Sequence, residues 1–246
     1  VYKRQGQSFT KNARSTLDDL RNLEAGELVE LAQQHYTRGY SALEHDPPID
    51  GWSLPSSPLF LYAQGERPRR PVLIGTNENE NLMYLRNSTE SDWVEALQKI
   101  EEQTHQAIES DLKLLSFRQK IDALTTATDY FCDSIDTADA LARNGSPVFL
   151  YRFRQVREKA RRLGAYHGAE IPYVFDTHDD WLPTSSRDLS LTSAMKSRWI
   201  AFAKTGRPQE ADLWPAWSSE KYAAFFEYPV SYGVLDTTLC GLLGSD

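Results

Sequence analysis

The stretch Pro71-Val72-Leu73-Ile74-Gly75-Thr76-Asn77-Glu78-Asn79-Glu80 is a short apolar run followed by an acidic turn. Between the breakers Pro71 and Gly75 there is no room for a helix, and the run fits a strand buried on both faces. A second run, Pro147-Val148-Phe149-Leu150-Tyr151-Arg152-Phe153, is rich in aromatic and branched residues and reads as a second buried strand. About a dozen residues later stands Gly164-Ala165-Tyr166-His167-Gly168. Each strand thus delivers a polar group to its C-terminal edge, where ligands and reacting groups gather in open α/β sheets.

The segments around these runs read mostly as helices. Leu28, Leu31, Ala32 and Tyr36 share one face over 24–37, with Gly39 as a stop. Pro47, Pro48, Pro55, Pro58 and Pro68 make 45–70 a long irregular connection, with Asp50-Gly51 as a turn signal. Trp93, Leu97 and Ile100 share a face, and so do Phe117, Ile121, Leu124, Thr128 and Phe131. A third helix is expected over 134–143, ending at Asn144-Gly145. The best-defined helix covers about 187–204. Ser185 and Asp188 fit a capping box, and Lys204, Gly206 and Pro208 follow as stop signals. A last strand is expected near Tyr222–Tyr228. Helices alternating with a few buried strands argue for α/β with an incomplete, mostly parallel sheet.

Composition narrows the function classes. The 246 residues are 40% hydrophobic and 25% charged, an ordinary globular balance. Lys and Arg number 27 against 35 Asp and Glu, a net charge of −8, so nucleic acid is not an expected partner. No apolar stretch approaches the ~20 residues of a membrane span. Cys132 and Cys240 are far apart and are expected to be two free, buried thiols. The compartment stays open between secreted or periplasmic and cytoplasmic. Val1-Tyr2-Lys3-Arg4-Gln5 reads as a translated sequencing adapter, which sets residues 1–5 aside and leaves 6–246 as one partial domain.

The chemistry centres on His167 and an acid from the first turn. A general base for a serine needs a well-aimed loop and a carboxylate behind its second ring nitrogen. Gly164, Ala165 and Gly168 allow close backbone approach around His167. Either Glu78 or Glu80 could supply the carboxylate, because in a strand-like continuation both point the same way. Acid before histidine matches the Ser…Glu…His order of an α/β-hydrolase triad. No serine qualifies as the nucleophile: Ser8 lacks the second glycine, Ser53 is followed by Pro55, and Ser146 lacks the spacing. His35 and His105 lie in helical patterns and His45 in the proline-rich connection. The run His178-Asp179-Asp180 is not expected to hold a metal, because adjacent residues rarely converge on one ion.

The chain resembles the C-terminal portion of type B carboxylesterases, the family of cholinesterases and bacterial p-nitrobenzyl esterases. The similar stretches are Pro71–Asn77, Pro147–Phe153, Gly164-Ala-Tyr-His-Gly-Ala-Glu-Ile-Pro-Tyr-Val-Phe175, and Trp199–Gly206 with Trp214-Pro215, in family order. The resemblance implies that His167 matches the catalytic histidine and that Glu80, rather than Glu78, matches the catalytic acid of an Asn-x-x-Glu turn begun by Asn77. It implies that Glu170 is an acid supporting the histidine from behind. Where the family has Gly after the acid this chain has Asn81, a residue that tolerates left-handed backbone. The family's serine and oxyanion glycines would lie upstream of Val1, on a missing N-terminal half of the same domain.

The expected parent is therefore a serine carboxylesterase acting on small-molecule esters, with no cofactor and no metal, and the chain alone is expected to be inactive. The alternative is a non-catalytic, cholinesterase-like binding or adhesion protein, because one fold hosts many functions.

Overall fold

The computed structural model describes residues 7, 9–11, 13, 15–35, 49–65, 69–208 and 213–244. Residues 1–5, Ser8, Tyr36, Gly39, His45, Pro47, Pro48 and Pro68, together with the His35 side chain, lie outside them. The chain forms two compact units, residues 1–58 and 59–246. In the first, α1 (Leu17–Arg21) opens on a capping box between Thr16 and Asp19, and α2 covers Ala25–His35.

Helix α3 (Pro58–Ala63) starts at the boundary, and the second unit is organised by a four-stranded sheet. Its strands are β1 (Val72–Asn77), β2 (Val148–Phe153), β3 (Tyr222–Phe226) and β4 (Ser231–Val234), in that spatial order. β1, β2 and β3 run parallel, and β4 closes a hairpin antiparallel to β3. The register pairs Val72 with Val148 through Asn77 with Phe153, so β1 and β2 end together.

The crossover from β1 to β2 carries α4 (Glu90–Leu97), α5 (His105–Asp111), α6 (Phe117–Thr126), a wide π turn (Ala127–Phe131) and α7 (Cys132–Arg143). The crossover from β2 to β3 carries α8 (Ile171–Phe175) and α9 (Ser186–Thr205), and α10 (Thr238–Leu242) follows β4. Helix α9 opens with Ser185 accepting from the Asp188 amide while Asp188 accepts from the Ser185 amide, and it closes on Gly206 at φ 73°.

Side chains alternate along β2, as strand geometry requires. Phe149 and Phe153 join Tyr173, Met195, Trp214 and Phe226 on one face. Val148 and Leu150 join Phe131, Ile135, Ala223 and Phe225 on the other. Both faces of β2 are covered, which is why it reads as an apolar run broken only by Arg152. A third cluster around Trp93, Ile108 and Leu124 binds α4, α5 and α6 together. Burying one such side chain contributes about 1.5–3 kcal/mol, more than any exposed ion pair.

Three expectations fail here. The irregular connection expected over 45–70 contains α3, which Pro58 opens at the first helical position, where proline is tolerated. Thr128 is exposed instead of sharing the face of Ile121 and Leu124, because the π turn widens the helix and rotates the residues within and beyond it. Cys132 and Cys240 are not free thiols but form a disulfide, because α10 packs against the π turn and brings the Cα atoms to 5.4 Å. A separation of 108 residues hid that proximity from the sequence.

Candidate active site

The turn after β1 and the loop after β2 meet at the C-terminal edge of the sheet. Asn79 and Tyr166 form a parallel bridge there: the Asn79 amide donates to the Ala165 carbonyl (3.1 Å), and the Ala165 amide donates to Asn79 Oδ1 (3.0 Å). Gly164 makes this approach possible. Its φ of +69° is left-handed, and a Cβ there would run into the Asn79 side chain.

The bridge sets His167 against Glu80. His167 Nδ1 lies 2.8 Å from Glu80 Oε2. The Glu80 side chain is 6% exposed and that of His167 is 48% exposed. A buried carboxylate needs compensation, and Glu80 has it. Oε1 accepts from the Asn77 amide at 2.7 Å, and its own amide donates to Thr126 Oγ1 at 3.1 Å. With Glu80 as acceptor, Nδ1 carries the proton and Nε2 keeps its lone pair, the tautomer a general base requires.

Asn77 and Glu170 lie directly behind the pair. Asn77 Nδ2 donates to Glu170 Oε2 at 2.5 Å and to the Tyr166 carbonyl at 2.9 Å, joining the end of β1 to the histidine loop. Asn77 Oδ1 is buried with no partner among the described residues.

Glu78 goes elsewhere. It accepts from Arg152 Nε at 2.8 Å and Arg154 Nε at 3.2 Å, while Arg152 stacks on Phe131 and Arg154 on Phe225. Burial pushes the Glu78 carboxyl up, but the charges and hydrogen bonds of Arg152 and Arg154 outweigh this and hold it below the ordinary value. Spacing treated Glu78 and Glu80 alike. The chain turns after Asn77, so the two carboxylates face different surroundings.

Several residues around the pair had no signal in spacing or composition. Asp122 on α6 accepts from Asn79 Nδ2 (2.8 Å) and the Asn81 amide (3.0 Å), and burial pushes its carboxyl up. Thr126 supports the Glu80 amide, and Tyr130 in the π turn stands beside the imidazole with ring centroids 5.4 Å apart. Asn81 does not adopt the left-handed conformation that its substitution for glycine suggested; hydrogen bonding to Asp122 holds the turn instead.

Within the second unit, the other candidates stand apart from the pair. His178 donates from Nε2 to Thr192 Oγ1 at 2.7 Å, since that hydroxyl itself donates to the Asp188 carbonyl, and Asp179 meets Arg157. His105 meets the Ile100 carbonyl. Ser53 is hydrogen-bonded to Asp50, and Ser146 precedes β2, at the opposite end of the strand from His167.

Comparison with known proteins bears on the family and the fold. The para-nitrobenzyl esterase of Bacillus subtilis is 28% identical over 217 residues, which cover 83% of this chain and 44% of that protein. Neuroligin-3 of Mus musculus is 29% identical over 232 residues, covering 79% of this chain and 27% of that protein. The chain thus spans less than half the length of either relative. A solved PNB esterase superposes with a TM-score of 0.79 at 23% identity over 98% of this chain and 53% of the esterase, a likeness of fold. The sheet is the mixed sheet of an α/β-hydrolase, and the model of the carboxylesterase family matches residues 3–229, so this chain belongs to the carboxylesterase family.

Proposed function

We propose that this chain carries the histidine and the acid of a serine carboxylesterase, and that residues 6–246 are the C-terminal part of its catalytic domain. The observation that carries the proposal is the 2.8 Å hydrogen bond from His167 Nδ1 to the buried Glu80. In the intact parent a serine supplied upstream attacks the ester carbonyl. His167 Nε2 takes the serine proton and returns it to the leaving alcohol. Glu80 fixes the tautomer and stabilises the imidazolium, and water then releases the acyl-enzyme. Asn77 and Glu170 hold the two loops in register. No metal or organic cofactor enters this scheme, and the substrate is a small-molecule ester.

The chain alone is inactive in this reading, because a base without a nucleophile or an oxyanion hole supplies little rate. The rival is a non-catalytic binding protein, and the match to neuroligin-3 keeps that comparison relevant. The Glu80–His167 pair favours the esterase, since binding requires neither an aimed imidazole nor a buried acid behind it.

The test is to recover the upstream reading frame and assay the completed protein on short p-nitrophenyl esters, with His167→Ala beside it. Hydrolysis that falls by at least about three orders of magnitude in the variant supports the proposal. A completed protein with glycine in place of the elbow serine and no hydrolysis overturns it in favour of the binding protein.

A further inference from the structure

The π turn between α6 and α7 is the least regular part of the long crossover, and it faces the site. Such turns interrupt α-helices at a cost in hydrogen-bond geometry and recur at functional positions. Here the extra residue per turn brings the fourth and fifth residues after Thr126 onto the side that Thr126 presents to the sheet. Thr126 supports the Glu80 amide, Phe131 stacks on Arg152, and Tyr130 stands against His167. The turn is anchored at both ends. Thr126 before it is 1% exposed, and Cys132 after it is in the disulfide to Cys240.

Tyr130 makes its contact through the ring. The centroids of Tyr130 and His167 are 5.4 Å apart, with planes tilted by 43°. The residue is half-buried. Burial first, and then the negative charge of Glu80 and Asp129, raise the Tyr130 phenol. The side chain therefore stays neutral beside the Glu80–His167 pair.

The pair needs such a neighbour. His167 is half exposed, yet the bond that fixes its tautomer runs to a carboxylate only 6% exposed. A hydrogen bond between a buried acid and an exposed ring is open to competition from water at its edge. A flat apolar face there excludes water and limits rotation of the imidazole about χ2.

We propose that Tyr130 is a positioning residue for His167: its ring, held by the π turn, shields the Nδ1–H···Glu80 hydrogen bond and keeps Nε2 aimed outward. The role belongs to the ring and not to the hydroxyl. It rests on the reading of His167 as the general base, although the shielding can be measured without any reaction.

The first readout is the exchange rate with water of the His167 Nδ1 proton, observed by NMR on the completed protein and assigned with Glu80→Gln. In the parent chain and in Tyr130→Phe the resonance persists. In Tyr130→Leu exchange accelerates by at least about tenfold, while the melting curve by circular dichroism stays cooperative. If Tyr130→Leu fails to fold, Tyr130→Met keeps the bulk without the ring and is read in its place. Unchanged exchange in a folded Leu or Met variant overturns the proposal, and so does equal acceleration in Tyr130→Phe.

The second readout is kinetic, on the completed protein. Tyr130→Leu lowers kcat by about tenfold with little change in KM, and Tyr130→Phe restores it. Faster exchange in a completed protein without esterase activity would sink the enzymatic reading and leave the shielding intact. Esterase activity with no exchange response would sink the role of Tyr130 alone.

Discussion

Asn79 and Tyr166 are paired as a single parallel rung beyond the ends of β1 and β2, and this rung brings the acid turn and the histidine loop together. It depends on Gly164, whose left-handed φ of +69° leaves no room for a Cβ against Asn79. Gly164→Ala is expected to push the histidine loop off the turn at a cost of about 1–3 kcal/mol from strain and overpacking. Urea unfolding measures the cost, and the His167 Nδ1 proton should be lost in the same variant. A variant as stable as the parent with that proton retained would show that the rung does not align the site.

Glu78 supports stability and not the tautomer. Arg152 has only 9% of its side chain in solvent, so neutralising its partner strands a charge. Breaking a fully buried pair costs about 3–5 kcal/mol. The Glu78 side chain is 42% exposed, and screening reduces the expected loss for Glu78→Gln to about 1–2 kcal/mol at pH 7. Linkage sets the sign with pH. The folded-state carboxyl lies below its ordinary value, so the stabilisation is complete above the ordinary carboxylate range and is lost as pH falls through the folded value. Denaturation curves of parent and variant should therefore differ near pH 7 and converge in acid. A gap that widened in acid would contradict the pairing.

The disulfide gives a larger effect. It closes a separation of 108 residues and ties α10 to the first residue of α7, directly after the π turn. Loop closure of that length predicts a loss of about 2–5 kcal/mol on reduction or in Cys240→Ser. Urea midpoints with and without a dithiol reductant measure it. If reduction left the midpoint unchanged, the two thiols would not be joined in solution.

The legibility of each feature in the sequence depended on how locally it is determined. β1 and β2 were legible because each packs apolar side chains on both faces of the sheet, which leaves short runs rich in apolar residues. Helix α9 was legible because its cap and stop signals lie within a few residues of its ends. The π turn was not, because the pattern Phe117, Ile121, Leu124, Thr128, Phe131 continues past Thr126 and nothing in it marks the extra residue. At the site, His167 could be singled out by its flanks and the acid narrowed to Glu78 or Glu80, the choice of Glu80 coming from the family resemblance. Their supports could not: Asn79 meets Asp122 across 43 residues and Arg152 meets Glu78 across 74, contacts made only once the sheet has formed. The disulfide belongs with these long-range contacts.

The outer edge of β1 makes a prediction for the chain in solution. Among the described residues β1 pairs only with β2, so the outward-facing backbone groups of Leu73–Gly75 have no strand partner on that side. Its neighbours along that edge, Val72, Leu73 and Ile74, are apolar and only partly buried. Such an edge lacks the charges, prolines and bulges that protect natural edges from pairing with another chain. In the proposed parent a strand from the upstream half fills this position. Alone, the chain is expected to associate or precipitate as its concentration rises, because edge pairing between copies satisfies the same groups. Sedimentation velocity over a concentration series measures this. A parent chain that stayed monodisperse and monomeric throughout would mean that the edge is already covered, and with it would go the argument that a further strand belongs there.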